Sequence, residues 1–163
     1  MRKTVSILIC LTAFCSLAFA QNKLPDIQVR TMSGESVSSL KALDDSVPVI
    51  LSFWATYCKP CLQELGALSD AYDDWQEEVK FKVVAVSEDD ARSSAKATAL
   101  AGGSDWPFTV LLDPNGDLKR AMNVSSIPSV FVIDSKGNIV YSHTGYTVGS
   151  ESMLLDTIKS LMK

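Results

Sequence analysis

Histidine occurs once in the 163 residues, as His143, and cysteine four times, at positions 10, 15, 58 and 61. Beyond residue 20 this leaves Cys58, Cys61 and His143, too few Cys or His ligands for a four-coordinate zinc site of that kind, which is practically excluded. Basic runs are missing apart from Arg2-Lys3, and the formal net charge is −4, which argues against nucleic acid as a partner. No apolar stretch after residue 20 is long enough to span a bilayer. Internal repeats and low-complexity linkers are missing too, so nothing divides that part of the chain. With 47% hydrophobic and 21% charged residues, it has the composition of one globular domain with a substantial core.

The first twenty residues stand apart. Arg2-Lys3 precedes the apolar stretch VSILICLTAFCSLAFA, which ends in Ala18-Phe19-Ala20. A basic start, an apolar middle and small residues at the two recognition positions make residues 1–20 a secretory signal peptide, with the domain at 21–163. The competing reading is an uncleaved anchor that tethers the domain to a membrane. Phe14 before Cys15 and Ile9 before Cys10 disfavour a lipoprotein signal. Cys10 and Cys15 belong to the signal, so the exported domain retains one thiol pair.

That pair sits in Cys58-Lys59-Pro60-Cys61, between the apolar run VPVILSFW and the helical pattern LQELGALSDAYDDW. Exported chains meet oxidising surroundings, where paired cysteines usually form structural bridges. A bridge across two residues closes a tiny loop and restricts the unfolded chain little, so chemistry explains the pair better than stability does. A helix N-terminus supplies free N–H groups and partial positive charge, which favour a thiolate at Cys58. Thiolates attack disulfides, so the arrangement points to thiol–disulfide exchange. Cys58 is then the nucleophile and Cys61, one turn in, the buried thiol that resolves the mixed disulfide. Pro60 suits a first helical turn because it donates no N–H. Lys59 adds positive charge, or is simply an exposed lysine at a helix start.

The remaining pattern alternates strands and helices. Residues 26–31 read as a short strand with a turn at Ser33-Gly34, and 38–43 as a short helix. Residues 48–54 form a continuous apolar strand, and Leu62, Leu65, Leu68, Tyr72 and Trp75 mark one face of a helix over 59–78. A strand at 82–87, a helix over 89–101 ending at Gly102-Gly103, and a strand at 108–113 follow. A short helix to about 122 precedes strands at 129–134 and 138–143, joined as an antiparallel hairpin by Ser135-Lys136-Gly137. A last helix over 150–162 turns Met153, Leu154, Ile158 and Leu161 inward. This order implies an α/β domain with a mixed sheet covered on both faces.

Several of these segments together resemble a known family. Residues Ser52-Phe53-Trp54-Ala55-Thr56-Tyr57-Cys58-Lys59-Pro60-Cys61 resemble the strand and active-site run of thioredoxin-fold proteins, in their exported TlpA/ResA-like branch of thiol–disulfide oxidoreductases. Ser126-Ile127-Pro128-Ser129 resembles that family's cis-proline loop. Residues 88–107 resemble the helical insertion of the branch, as does Trp106-Pro107-Phe108 ahead of VLLD. The resemblance implies a thioredoxin-like fold with a mixed central sheet, helices on both faces, an N-terminal extension and a central helical insertion. It implies a cis Ile127–Pro128 bond in a loop that faces the thiols and binds extended partner segments. Glu64 matches a glutamate that such proteins use near the thiols, and the i, i+3 spacing sets it on the side of Cys61, where a partly buried carboxylate can move a thiol proton. Trp54 and Tyr57 are expected to flank the thiols as a docking surface, with Trp54 as ordinary core the alternative.

The chain also departs from the pattern. Tyr57 stands where Trp is more frequent, and Leu65-Gly66 replaces an apolar-Pro pair. Ser52 takes the place of a buried Asp and removes one proton acceptor. His143, at a strand end, is expected at the surface.

The function implied is reduction of partner-protein disulfides in the periplasm or cell envelope, with no organic cofactor or metal. A membrane thiol-electron carrier would renew the dithiol, and apocytochrome c is one candidate partner. The rivals are a disulfide oxidase or isomerase, a thiol peroxidase, a copper-binding chaperone using both thiols and His143, and a binding module with an inert bridge.

Overall fold

The computed structural model describes residues 23–42 and 46–162. Residues 1–22, on which the expected export signal falls, lie outside the described residues. In chain order the elements are β1 (Gln28–Thr31), β2 (Ser36–Ser38), α1 (Ser39–Ala42), β3 (Val49–Trp54), α2 (Lys59–Glu78), β4 (Lys82–Ser87), α3 (Ser94–Gly103), β5 (Thr109–Leu112), α4 (Asp117–Ala121), β6 (Ser129–Ile133), β7 (Ile139–Thr144) and α5 (Ser152–Leu161). The strands form a mixed sheet of order β2-β1-β5-β4-β3-β6-β7. β3, β4 and β5 run parallel, while β1, β2, β6 and β7 pair antiparallel to their neighbours.

β3 is buried at every position, as its unbroken apolar run requires. Its side chains alternate between two cores. Ile50 and Trp54 join Val83, Ala85, Val130 and Val132 on the face covered by α2, α3 and α5. Val49, Leu51 and Phe53 join Val84, Val86, Leu111 and Ile133 on the other face, against Leu118 and Met122 at α4. Burying each such side chain contributes about 1.5–3 kcal/mol relative to exposure. α3 lies in the expected insertion, and its Ala97 and Ala101 are small enough to let the helix sit close to the sheet.

Three expectations change. α3 begins at Ser94 rather than near residue 89, because the Asp90 carboxylate accepts the Ser93 and Arg92 N–H groups and holds a turn there. β2 has no counterpart in the expected elements. In α5 the buried residues are Leu154, Leu155 and Ile158, and Met153 is exposed.

The β6–β7 hairpin contains a register shift. Ile133 pairs with Ile139, but Val132 pairs with Tyr141 and Val130 with His143, so Val140 is an extra residue. Such a bulge reverses the face on which later residues lie. Ile139 accordingly packs on the α4 side and Tyr141 on the α2 side, although they are two residues apart.

Candidate active site

At the carboxyl end of β3 the chain turns through Ala55, Thr56 and Tyr57 into α2. Cys58 is the N-cap of that helix, with extended backbone angles, and its Sγ accepts the Cys61 N–H at 3.3 Å. Pro60 occupies the first turn. Cys58 and Cys61 are joined by a disulfide. The two sulfurs differ in access: Cys58 is 7% exposed and Cys61 has no exposed surface. A bound N–H and the positive end of a twenty-residue helix act on the Cys58 sulfur.

The turn is held from β4. Asp89, buried just past the strand end, accepts hydrogen bonds from the Thr56 N–H and Thr56 Oγ1, both at 2.8 Å, and from Ser87 Oγ. Tyr57 is 71% exposed and its hydroxyl donates to Glu88 at 2.9 Å. That bond to Glu88, followed by burial and the nearby acidic charges, pushes the Tyr57 phenol up to about 12. Glu88 in turn pairs with Lys119 at 2.8 Å.

Behind the disulfide lies a polar row that crosses the sheet. Ser52 pairs with Val130, and Val130 with His143, which sets Ser52 and His143 on one face either side of a valine. Glu64, with no exposed surface, comes down from α2 onto this row. Its Oε2 accepts from Ser52 Oγ at 3.3 Å, and its Oε1 lies 3.3 Å from His143 Nε2. The His143 side chain is 19% exposed, and its buried Nδ1 has no hydrogen-bond partner among the described residues. Tyr141 stands beside it with ring centres 5.7 Å apart. Tyr146 is raised above its ordinary value by burial first, then by the charge and hydrogen bond of Glu151 and the charge of Glu64.

The Ile127–Pro128 peptide bond is cis. Phe53 pairs with Ser129, so this loop sits beside the carboxyl end of β3, where the thiol turn begins. Pro128 is buried, its carbonyl accepts the Gly145 N–H at 2.8 Å, and Ile127 packs half-buried against the core containing both cysteines.

The structure thus brings Cys58, Cys61, Tyr57, Lys59, Pro60, Ile127 and Pro128 to one end of the sheet, with Glu64 beneath them. Lys59 and Pro60 are exposed. Trp54 is corrected: it has no exposed surface and meets Trp106 edge-on at 5.2 Å, so it is core rather than docking surface. His143 is corrected as well, since its side chain is only 19% exposed and its Nε2 meets the buried glutamate. Ser52 and His143 are the polar residues that sequence reasoning named without joining them to Glu64. The signal that finds them is strand register, and the bulge at Val140 hides it.

The AhpC/TSA family profile matches residues 20–142. The chain is 38% identical over 122 residues to the thioredoxin-like protein YneN of Bacillus subtilis, covering 74% of this chain and 69% of that protein. It is 26% identical over 148 residues to the thiol-disulfide oxidoreductase ResA of Halalkalibacterium halodurans, covering 91% and 80%. A solved thioredoxin-like protein from Porphyromonas gingivalis superposes with a TM-score of 0.76 at 47% identity, over 85% of this chain and 90% of that one. The expected thioredoxin-like fold is therefore the fold found.

Proposed function

The chain belongs to the AhpC/TSA family and is a thiol–disulfide oxidoreductase, and on that premise we propose that it runs as a reductase of protein disulfides outside the cytoplasm. The observation that carries the reading is the difference between the two sulfurs: Cys58 at the helix start with some exposure, Cys61 fully buried beneath it. In the dithiol form the Cys58 thiolate attacks one sulfur of a partner disulfide, and the other partner sulfur leaves with the electron pair. Cys61 then gives up its proton and attacks Cys58, forming the bridge and releasing the partner's second sulfur. The partner gains two electrons and two protons, and the Cys58–Cys61 pair loses them. Glu64, one turn beyond Cys61, is the acceptor for the Cys61 proton.

Exposed Tyr57, Lys59 and Pro60, with half-buried Ile127, form the partner surface, and Pro128 fixes the loop at its edge. The basic and apolar start of the chain supports export, and a membrane thiol-electron donor would then restore the dithiol. Among the described residues no helix is long and apolar enough to cross a membrane. Apocytochrome c is one partner whose cysteines would need such reduction.

Trapping tests the reading. Cys61→Ala leaves the mixed disulfide unresolved, so non-reducing gels of cells carrying it should show partners held on Cys58 and released by dithiothreitol. The reductase direction fails if the pair's potential lies near about −120 mV, that of strong oxidants. Hydrogen peroxide consumption that survives loss of Cys61 would favour a thiol peroxidase instead.

A further inference from the structure

A carboxylate without exposed surface can take a thiol proton only if that proton has somewhere to go next. Glu64 is covered by α2 and the sheet, and it touches two side-chain partners. Ser52 Oγ, at 3.3 Å, is itself buried with no exposed surface. His143 Nε2, also at 3.3 Å, belongs to a side chain that is 19% exposed. Among these contacts, the imidazole is the connection between the buried carboxylate and water. Its second nitrogen, Nδ1, is buried and has no hydrogen-bond partner among the described residues, so exchange with water runs through Nε2. Imidazole gains and loses protons near neutral pH more readily than any other side chain. In apo states catalytic hydrogen bonds are often long, and 3.3 Å is within the range that tightens during reaction.

We propose that His143 is a positioning residue that takes the Cys61 proton onward from Glu64 and delivers it to solvent. This rests on the reductase reading above. As Cys61 attacks Cys58 in the mixed disulfide, the Cys61 sulfur supplies the electron pair of the new S–S bond, and the partner's sulfur departs with the pair of the broken one. The Cys61 proton goes to Glu64, from Glu64 Oε1 to His143 Nε2, and leaves from Nε2 to water as the ring turns toward the open side. The departing partner thiolate takes a proton from water, so charge and atoms balance with no other reactant. The titratable groups that face this path are Glu64 from α2, Tyr141 beside His143 on β7, and Tyr146 in the following loop, with Glu151 behind Tyr146.

The test uses the full chain without an affinity tag, so that His143 is its one imidazole. The reduced protein is mixed with 5,5′-dithiobis(2-nitrobenzoate), which releases one chromophore when Cys58 attacks and a second when Cys61 closes the bridge. His143→Gln keeps an N–H donor toward Glu64 but cannot carry a proton. It should leave the first release unchanged and slow the second by about tenfold or more, with loss of an ionisation from the pH profile of that step. In His143→Ala, added imidazole should restore the second release in proportion to its free base, which a merely structural role would not produce. A second release in His143→Gln that matches the unsubstituted protein in rate and pH profile overturns the proposal. If either variant fails to unfold cooperatively, the unsubstituted protein decides: the ring-proton resonances of its one histidine should titrate differently in dithiol and bridged states. Identical titrations overturn the proposal. Absence of both releases from the unsubstituted protein would instead defeat the reductase reading, and this proposal with it.

Discussion

Glu64 places a carboxyl group at a position without exposed surface, where a polar group left without partners costs about 1–3 kcal/mol. Ser52 and His143 offset that cost with one contact to each oxygen. Glu64→Gln removes the ionisable carboxyl while keeping the side chain's volume and an acceptor for Ser52. It should lower the rate of insulin disulfide reduction by about tenfold or more and leave the thermal midpoint no lower, since the carboxyl serves proton transfer rather than stability. Equal reduction rates in the two proteins would remove Glu64 from the mechanism. Tyr57 gives a second prediction. Its phenol is raised to about 12, chiefly by donating to Glu88. A raised acid of this kind contributes to stability fully below its unfolded value of about 10, and the contribution is lost as pH rises through the folded value. Absorbance titration at the tyrosinate band should therefore show a component near pH 12 that Tyr57→Phe abolishes.

Elements were legible where sequence period and punctuation agree. α2 runs from Lys59 to Glu78 as its apolar stripe and Pro60 indicate, and β4 spans Lys82–Ser87 as its apolar run does. β2 was not legible, because Ser36-Val37-Ser38 holds one apolar residue and owes its strand form to pairing with β1. The β6–β7 hairpin was legible as a hairpin but not in register. Nothing in Asn138-Ile139-Val140-Tyr141 marks an extra residue, and that residue decides which face His143 takes. The CKPC pair was readable from local chemistry alone, whereas the Ser52–Glu64–His143 row needs contacts between residues up to 79 positions apart, which only the folded sheet supplies. The hairpin turn itself is held by Asp134, whose carboxylate accepts from the Lys136 and Asn138 N–H groups and from the Asn138 amide. Burial would raise the Asp134 carboxyl, but these hydrogen bonds outweigh it and hold it below its ordinary value. Its contribution is therefore present above the unfolded value of about 3.9 and lost as pH falls through the folded one. Asp134→Ala should lower unfolding stability by about 1 kcal/mol at neutral pH, and by less in acid, as urea midpoints at the two pH values would record.

At the scale of the whole molecule, two cores on opposite faces of one sheet fix the thiol turn between neighbours that are far apart in sequence. Among the described residues β2 and β7 form the borders of the sheet, and a bridge from Lys23 to Asn138 covers the approach to β7. β2 is three residues long, which leaves little to pair with. β7 is longer, and the extra residue at Val140 breaks its row of backbone groups. Deleting Val140 should straighten that strand, swing Tyr141 and His143 out of their places, and raise light scattering on incubation at 37 °C; unchanged scattering would count against this view. Loose, extended chains, such as the substrates proposed above, can dock along any regular sheet border. A kinked border is a poor template for such visitors, so they are left to meet the molecule at its sulfur rather than to assemble on its flank.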